Sequence, residues 1–519
     1  MSGVASLRKN GLVIFGSRLA SIVTGWFFLL MVTGWLNPTR FGLWEIITDY
    51  VTFASYPAGL LSFWATREVA RGKLVGKALF VCNLGLSGFG IGIYGLFTLA
   101  YGGFGSDIGP FLLALLLVPL AYWNQAAASV AIGSRPSMMG YSLLVSEAAK
   151  LVVAYPALYI YHLEISGVVL AIIVSYFVQS LVIMVGVSGA LSGPIDFGAV
   201  RRWLNDIWVP VLYLIPSQLG IADTFVASAA TGSTDLAGYY QAAFSLALMV
   251  SYAGLLASAL YPLLVKGGRS DAPSVTLDLV LMFAIPMAVG NIALAPTFLA
   301  LLRAEYVAAA TNVTFALGVL SLWGLLVALS LFTDNTLLGL ETADVTEKRS
   351  FGGYMRSSFG FVSGVNSALL VVFLVGVFFV VTIGRAAGID PGMIVAYWAI
   401  LQFAILLPGV ALKLRRVRSK TSLRFPRALP AYILSSAVMA AVLLMLAGSA
   451  PPPGSDRIPL GEAVLGLVGV GAGVYFAVLF ALDGGFRRLV SSVFRSLGRS
   501  QAPITATGQE GPRPDEHSG

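Results

Sequence analysis

Six ionisable side chains, Arg18, Glu45, Asp49, Glu147, Lys150 and Asp223, stand inside apolar runs of this sequence rather than between them. A charge surrounded by hydrocarbon costs several kcal/mol unless it faces water or a partner, which makes each of these a candidate for binding or coupling chemistry. The guanidinium of Arg18 offers a planar fork of donors that suits bidentate contact with a phosphate. It lies about 10 Å into its run from the basic end, at the limit of what snorkelling to the surface can reach, so it either snorkels or faces a cavity. Glu147 and Lys150 are spaced i, i+3 on one helical face and are close enough to pair. Lys150 is about 16 Å deep, beyond snorkelling reach, so the two either form a neutral structural pair or take part in binding and ion coupling. Asp49 shares a face with Glu45 near the outer end of the second run and is the deeper of the two. Asp223, about 22 Å from the inner end of the seventh run, either hydrogen-bonds in the core or titrates.

The elements that must position these groups are long helices. Hydrophobic residues make up 57% of the chain and charged residues 11%, far from the roughly 25% charged residues of soluble domains. Apolar runs occupy residues 11–35, 43–64, 78–102, 110–132, 139–161, 166–191, 208–230, 237–265, 277–302, 309–332, 357–382, 392–414, 429–448 and 461–482. Each is long enough to cross a hydrocarbon core of about 30 Å as a helix, and none has the length or composition of a barrel strand. The expectation is an all-α, polytopic membrane protein with fourteen transmembrane helices. The first run is too long for a signal-peptide core and is read as a retained helix.

Orientation follows from the basic residues. Arg8, Lys9, Arg67, Arg71, Lys73, Lys77, Arg135, Arg201, Arg202, Lys266, Arg269 and the groups from Lys348 to Arg356, Lys413 to Arg427 and Arg487 to Arg513 all fall in alternate gaps. The remaining gaps hold only Arg40, Arg303, Arg385 and Arg457. Short cationic loops stay in the cytoplasm, which places both termini there. The net charge of +8 then sits at the inner surface and suits anionic lipid headgroups rather than nucleic acid.

Cys82 is the only cysteine, and the two histidines, His162 and His517, are far apart in sequence, so neither a metal site nor a disulfide is expected, and no cofactor. The outer connections are short, the longest running around Pro451 to Arg457. That leaves no soluble domain for a membrane glycosyltransferase, which stands as a remote alternative, and the chain is read as a non-enzyme. Pro216 removes a backbone donor within the seventh run and should kink it, freeing the carbonyl of Leu212. Pro210, in the first turn of the same run, is more easily accommodated. Both are candidate gating kinks, and Pro57, Pro156, Pro262, Pro286, Pro296 and Pro408 offer further bends.

Two halves are discernible. Pro38-Thr39-Arg40-Phe41-Gly42-Leu43-Trp44 and Ser233-Thr234-Asp235-Leu236-Ala237-Gly238-Tyr239-Tyr240 each set a Thr, a Gly and an aromatic at the outer mouth of a helix. They lie six runs apart, as parallel repeats would. The chain divides into residues 1–200, 201–420 and 421–484, followed by an amphipathic segment, 485–499, suited to the inner leaflet, and a disordered tail, 500–519.

The second half resembles a known family. Ile221-Ala222-Asp223, Asp235-Leu236-Ala237-Gly238-Tyr239-Tyr240-Gln241-Ala242-Ala243, Leu260-Tyr261-Pro262-Leu263-Leu264, Ile285-Pro286 and Glu305-Tyr306-Val307-Ala308-Ala309 are similar, in order and spacing, to motifs of the Wzx-type polysaccharide flippases of the MOP superfamily. Pro38 to Gly42, and the Arg67 that closes the second run, agree with it. The resemblance implies two six-helix lobes around a central, cation-lined cavity, with two helices appended. It implies alternating access, with a polyprenyl- or dolichyl-linked oligosaccharide as cargo carried from the inner to the outer leaflet of the cell membrane. Arg18 and Lys150 would hold the phosphate or diphosphate, and Glu147, Asp49 or Asp223 would couple transport to an ion. Membrane lipids and glycan-assembly enzymes are the implied partners, and the protein would be a monomer. A multidrug or cation exporter, or a lipid II flippase of the same superfamily, is the alternative.

Overall fold

A computed structural model describes residues 38–101, 108–212, 235–265, 271–302, 310–341, 351–448 and 457–488, with further positions within 13–36, 223–230, 451–455 and 490–491. Among the described residues every regular element is a helix. Eleven helices are long and apolar enough to cross a membrane, and the chain is a multi-pass membrane protein. Three of the fourteen expected runs are not among them. The first is helical wherever it is described between Val13 and Trp35, the second is broken, and most of the seventh lies outside the described residues. Outside them too fall Pro216, the side chains of Glu45 and Asp49, the amphipathic segment beyond Ser491 and the tail.

Prolines set the breaks. In the second run the helix Pro38–Ser55 ends, Tyr56 and Pro57 form a turn, and Ala58–Ala70 continues. A proline ring displaces the carbonyl four residues back and supplies no donor to it. Near this break Tyr122 donates to the carbonyl of Ala54 at 3.0 Å, and Asn83 donates to that of Ala58 at 3.4 Å. The fourth run breaks into Ile108–Ala114 and Leu117–Ser134, just ahead of Pro119. In the fifth, Ser137–Tyr155 gives way at Pro156 to a π-turn, Pro156–Ile160. Pro210 sits in the first turn of its helix, where its missing amide removes no helical bond.

The joint between the sixth and seventh runs contains a short amphipathic helix, Phe197–Asn205, capped by Asp196 Oδ1, which accepts from the amide of Ala199 at 2.9 Å. Ala199, Val200 and Trp203 are buried on one face. The last two helices, Leu429–Ala447 and Arg457–Leu482, pack on the ninth-run helix, Ala272–Ala293, and share its core. Beyond them Asp483 caps a further helical turn, and Phe486 stacks on Phe476 at 5.7 Å.

The distribution of core residues gives the molecule its shape. At the basic ends of the runs one core is shared: Trp64, Val69 and Ala131 from the first half, with Trp203 of the joint helix, pack with Leu338, Tyr354 and Phe359 from the second. At the opposite ends two cores are separate. One is built from Phe28, Val32, Tyr94 and Tyr122, the other from Tyr240, Leu317, Val377 and Trp398. The two halves are thus joined at the basic end.

Candidate functional site

The first run supplies two faces. Ser17, Thr24, Phe28 and Val32 recur at helical spacing and turn toward the fifth run, where the absent side chain of Gly140 allows contact. A Cβ there would come within 2.8 Å of both Ser17 Oγ and the Val13 carbonyl. Thr24 Oγ1 donates to Glu147 Oε2 at 2.9 Å. Lys150 Nζ approaches Glu147 at 2.8 Å for Oε1 and 2.7 Å for Oε2 and sits 4.9 Å over the Phe28 ring. The side chains of Lys150 and Glu147 are 14% and 12% exposed. The expected i, i+3 pair therefore forms, and it is tied to the first run.

Arg18, one residue on from Ser17 and so rotated by about 100°, faces another way. Its Cζ lies 4.9 Å from the ring centroid of Tyr252, in the second half of the chain. Its Nε is buried without a hydrogen-bond partner. Among the described residues no carboxylate pairs with it. Arg18 and Lys150 are brought onto neighbouring helices but into unlike states: the lysine is paired with Glu147, and the guanidinium, among the described residues, lies against the Tyr252 ring.

Asp223 is buried against the Tyr240 hydroxyl, which also lies 2.6 Å from Gln402 Oε1. The Tyr240 ring stacks on Trp398 at 3.9 Å and 5°. This acidic group belongs to the second-half core and is not gathered with Glu147.

Two clusters escaped the sequence reading. Lys413, assigned there to a cytoplasmic gap, is fully buried. Its Nζ reaches Asp334 Oδ1 at 2.9 Å, Ser330 Oγ at 2.6 Å and Asn366 Oδ1 at 3.0 Å, joining three helices. Ala310–Gly339 runs past the expected end of its span and brings Asp334 against Lys413, which lies at the inner end of the 392–414 run within Pro391–Lys420, and the two charges neutralise each other. Arg67, likewise placed in a gap, is fully buried within Ala58–Ala70. It donates to the carbonyls of Leu338 and Glu341, both at 2.6 Å, and to the Tyr261 hydroxyl at 3.1 Å. It also lies 4.8 Å from the Phe359 ring centroid. The two carbonyls end a helix, where acceptors lack partners and the dipole is negative, so a cation suits the place. Arg67 fastens one half to the other at the basic end.

No family model matches the sequence, and no curated protein does. Solved structures match in fold. The chain is similar to the MATE transporter VcmN of Vibrio cholerae in the bent form, at TM-score 0.55 and 13% identity over 81% of this chain and 99% of that one. It is similar to a MOP superfamily transporter from Pyrococcus furiosus, for which a reversed polarity of the binding pocket is described, at TM-score 0.57 and 15% identity over 81% and 98%. A MATE transporter in the straight conformation matches at TM-score 0.56 and 15% identity over 81% and 99%. At such identities the likeness is one of fold: this multi-pass membrane protein has the fold of the MATE and MOP superfamily transporters.

Proposed function

We propose that the protein is a flippase that carries a lipid-linked oligosaccharide from the inner to the outer leaflet, with its basic end in the cytoplasm. Arg18 supports this reading most directly. A guanidinium at membrane depth, set where the two halves face each other and, among the described residues, meeting no carboxylate, selects an anion and fits a phosphate. The diphosphate of the carrier would take the in-plane donors of Arg18, whose Nε edge is buried beside the Tyr252 ring in this state. Lys150, held by Glu147 level with Phe28, stands about 15 Å further along the first run than Arg18 and would be a second phosphate contact along the path of the cargo. The lipid tail would stay in the bilayer. With the basic end closed by Arg67, the described state faces outward. Asp223, against the Tyr240 hydroxyl, and Glu147, held by Thr24, are the groups proposed to couple transport to an ion, with Asp49 as a further candidate.

The reversed polarity of the binding pocket described for the Pyrococcus furiosus transporter fits a fold whose pocket charge can differ from one member to another. A cation exporter is the second reading, favoured by the burial of Asp223 and Glu147, because such a pump would draw its cargo to carboxylates.

Reconstitution separates the two. Vesicles holding the protein and a fluorescent polyprenyl-diphosphate sugar should show transfer between leaflets, followed by quenching from one side. Arg18→Ala should lower the rate by roughly 10- to 100-fold, the equivalent of losing a charge-assisted contact, and Arg18→Lys should restore part of it. Uptake of a fluorescent organic cation that survives Arg18→Ala but is lost with Asp223→Asn would overturn the anionic cargo.

A further inference from the structure

The eighth run changes helix type part-way along. It is α-helical over Asp235–Ser251, 3-10 over Tyr252–Ala259, and α-helical again over Leu260–Val265. Eight residues of 3-10 helix is about twice the usual limit, and such a stretch inside a longer helix often marks a hinge. Two local causes are present. Pro262 cannot donate to the carbonyl of Ser258, so the α-helical ladder is interrupted there. Gly254 lies against the tenth-run helix, where a Cβ would meet Ala328 Cα at 2.9 Å and Leu331 Cδ1 at 2.9 Å.

The stretch is bracketed by two contacts of the eighth run with cations of the first half. Tyr252, its first residue, covers Arg18. Tyr261, two residues past its end, accepts from Arg67. The two helix types differ in rise, about 2.0 against 1.5 Å per residue, and in turn, about 120° against 100°. Conversion of eight residues to α-helix would shorten the run by about 4 Å and rotate its far end by about 160° relative to Tyr252. Tyr261 could not then remain on Arg67.

Resting on the flippase reading, we propose that the Tyr252–Ala259 stretch is a two-state coupler that links headgroup release at Arg18 to closure of the basic end. In the 3-10 state Arg67 holds Tyr261, and the Tyr252 ring lies against Arg18 with the Nε edge of the guanidinium buried, so a phosphorylated headgroup is kept from the in-plane donors it needs. In the α state Tyr252 leaves Arg18, the guanidinium is open to phosphate, and the Arg67 fastening is released. Closure inside and release outside are then one movement. By linkage, a diphosphate bound at Arg18 favours the open basic end to the same degree that closure weakens its binding.

The test uses the full chain in nanodiscs, with Cys82→Ser and a reporter, Ala65→Cys, in the shared core, where Ala65 is fully buried. Labelling by a soluble maleimide reports opening, and farnesyl diphosphate serves as probe. Labelling should rise about tenfold with the probe, as expected when a ligand shifts a minor state. Tyr252→Leu should still bind the probe, yet its labelling should change by less than about twofold. Without probe, Gly254→Ala, which crowds the 3-10 packing, and Pro262→Ala, which restores the missing donor, should each raise labelling about tenfold. A full probe response in Tyr252→Leu, or parent-like labelling in either folded α-favouring variant, would overturn the coupler. Failure of the parent to bind farnesyl diphosphate would instead sink the anionic-cargo reading, while the probe-free arms would still judge the coupler.

Discussion

Lys413 and Arg67 are both fully buried cations, and they meet burial in different ways. Arg67 spends its charge on helix-end carbonyls, whereas Lys413 faces a full negative charge on Asp334 with Ser330 and Asn366 completing its shell. Removing one member of a buried pair leaves the other uncompensated and costs about 3–5 kcal/mol, while replacing both by apolar groups is close to neutral. Lys413→Ala should therefore lower the melting temperature in detergent strongly. Lys413→Met combined with Asp334→Leu should recover most of the loss, and a double variant no better than the single would refute the pairing argument. The sequence reading found Glu147 and Lys150 because their i, i+3 spacing lies on one helix. Asp334 and Lys413 are on different helices near the ends of apolar runs, where one chain offers no sign that opposite charges will meet. Tyr252 was equally hidden, as an aromatic among many in apolar helices.

Helices in this molecule are shaped by what serves the carbonyls that proline leaves free. In Ala272–Ala293, Pro286 deprives the Met282 carbonyl of its donor, yet the helix continues. Tyr475, from the last helix, donates to that carbonyl at 2.6 Å. A buried acceptor stripped of its partner costs about 1–3 kcal/mol, so Tyr475→Phe should destabilise by that order in thermal unfolding. Pro286→Ala restores an amide donor at that position, and in its presence Tyr475→Phe should cost much less. Equal costs in both backgrounds would show that the carbonyl is not what Tyr475 serves. This bond also gives a physical reason why the last two helices dock on the ninth run, together with Tyr432, which donates to Asp278 Oδ1 at 2.6 Å. Hydropathy made the helices and the bends at Pro57 and Pro156 legible, because apolar length and ring geometry are local properties. It could not tell that the helix would continue through Pro286, since that depends on Tyr475, a partner 193 residues from the Met282 carbonyl it serves. The 3-10 stretch was out of reach for the same reason: its packing partner, Ala328, lies in another helix.

At the scale of the molecule, a shared core at the basic end and separate cores at the other fit one side of the alternating cycle proposed above, and Arg67 is a polar contact that spans the joined end. Each charge-assisted hydrogen bond is worth about 1.5–3 kcal/mol, and moving a two-state equilibrium from about 1:99 to 99:1 takes about 5.5 kcal/mol. Loss of the bonds to Leu338, Glu341 and Tyr261 is thus large enough to populate a state with the basic end open. The positive-inside pattern marked which ends of the helices carry Arg67, but charge counting treated it as a loop residue and gave no hint of the carbonyls it would find. Arg67→Met keeps the stem packed against Phe359 and removes the donors. With nitroxides at Lys73 and Arg418, both on exposed surface of the basic end, the distance between halves should lengthen in this variant. With labels at Leu163 and Ala387 on the opposite side, it should shorten. Opposite changes at the two ends are the signature of one half rocking against the other. Lengthening at both ends would mean that the halves merely loosen, and unchanged distances at both would show that apolar packing around Trp64 and Phe359 holds the basic end shut without the guanidinium.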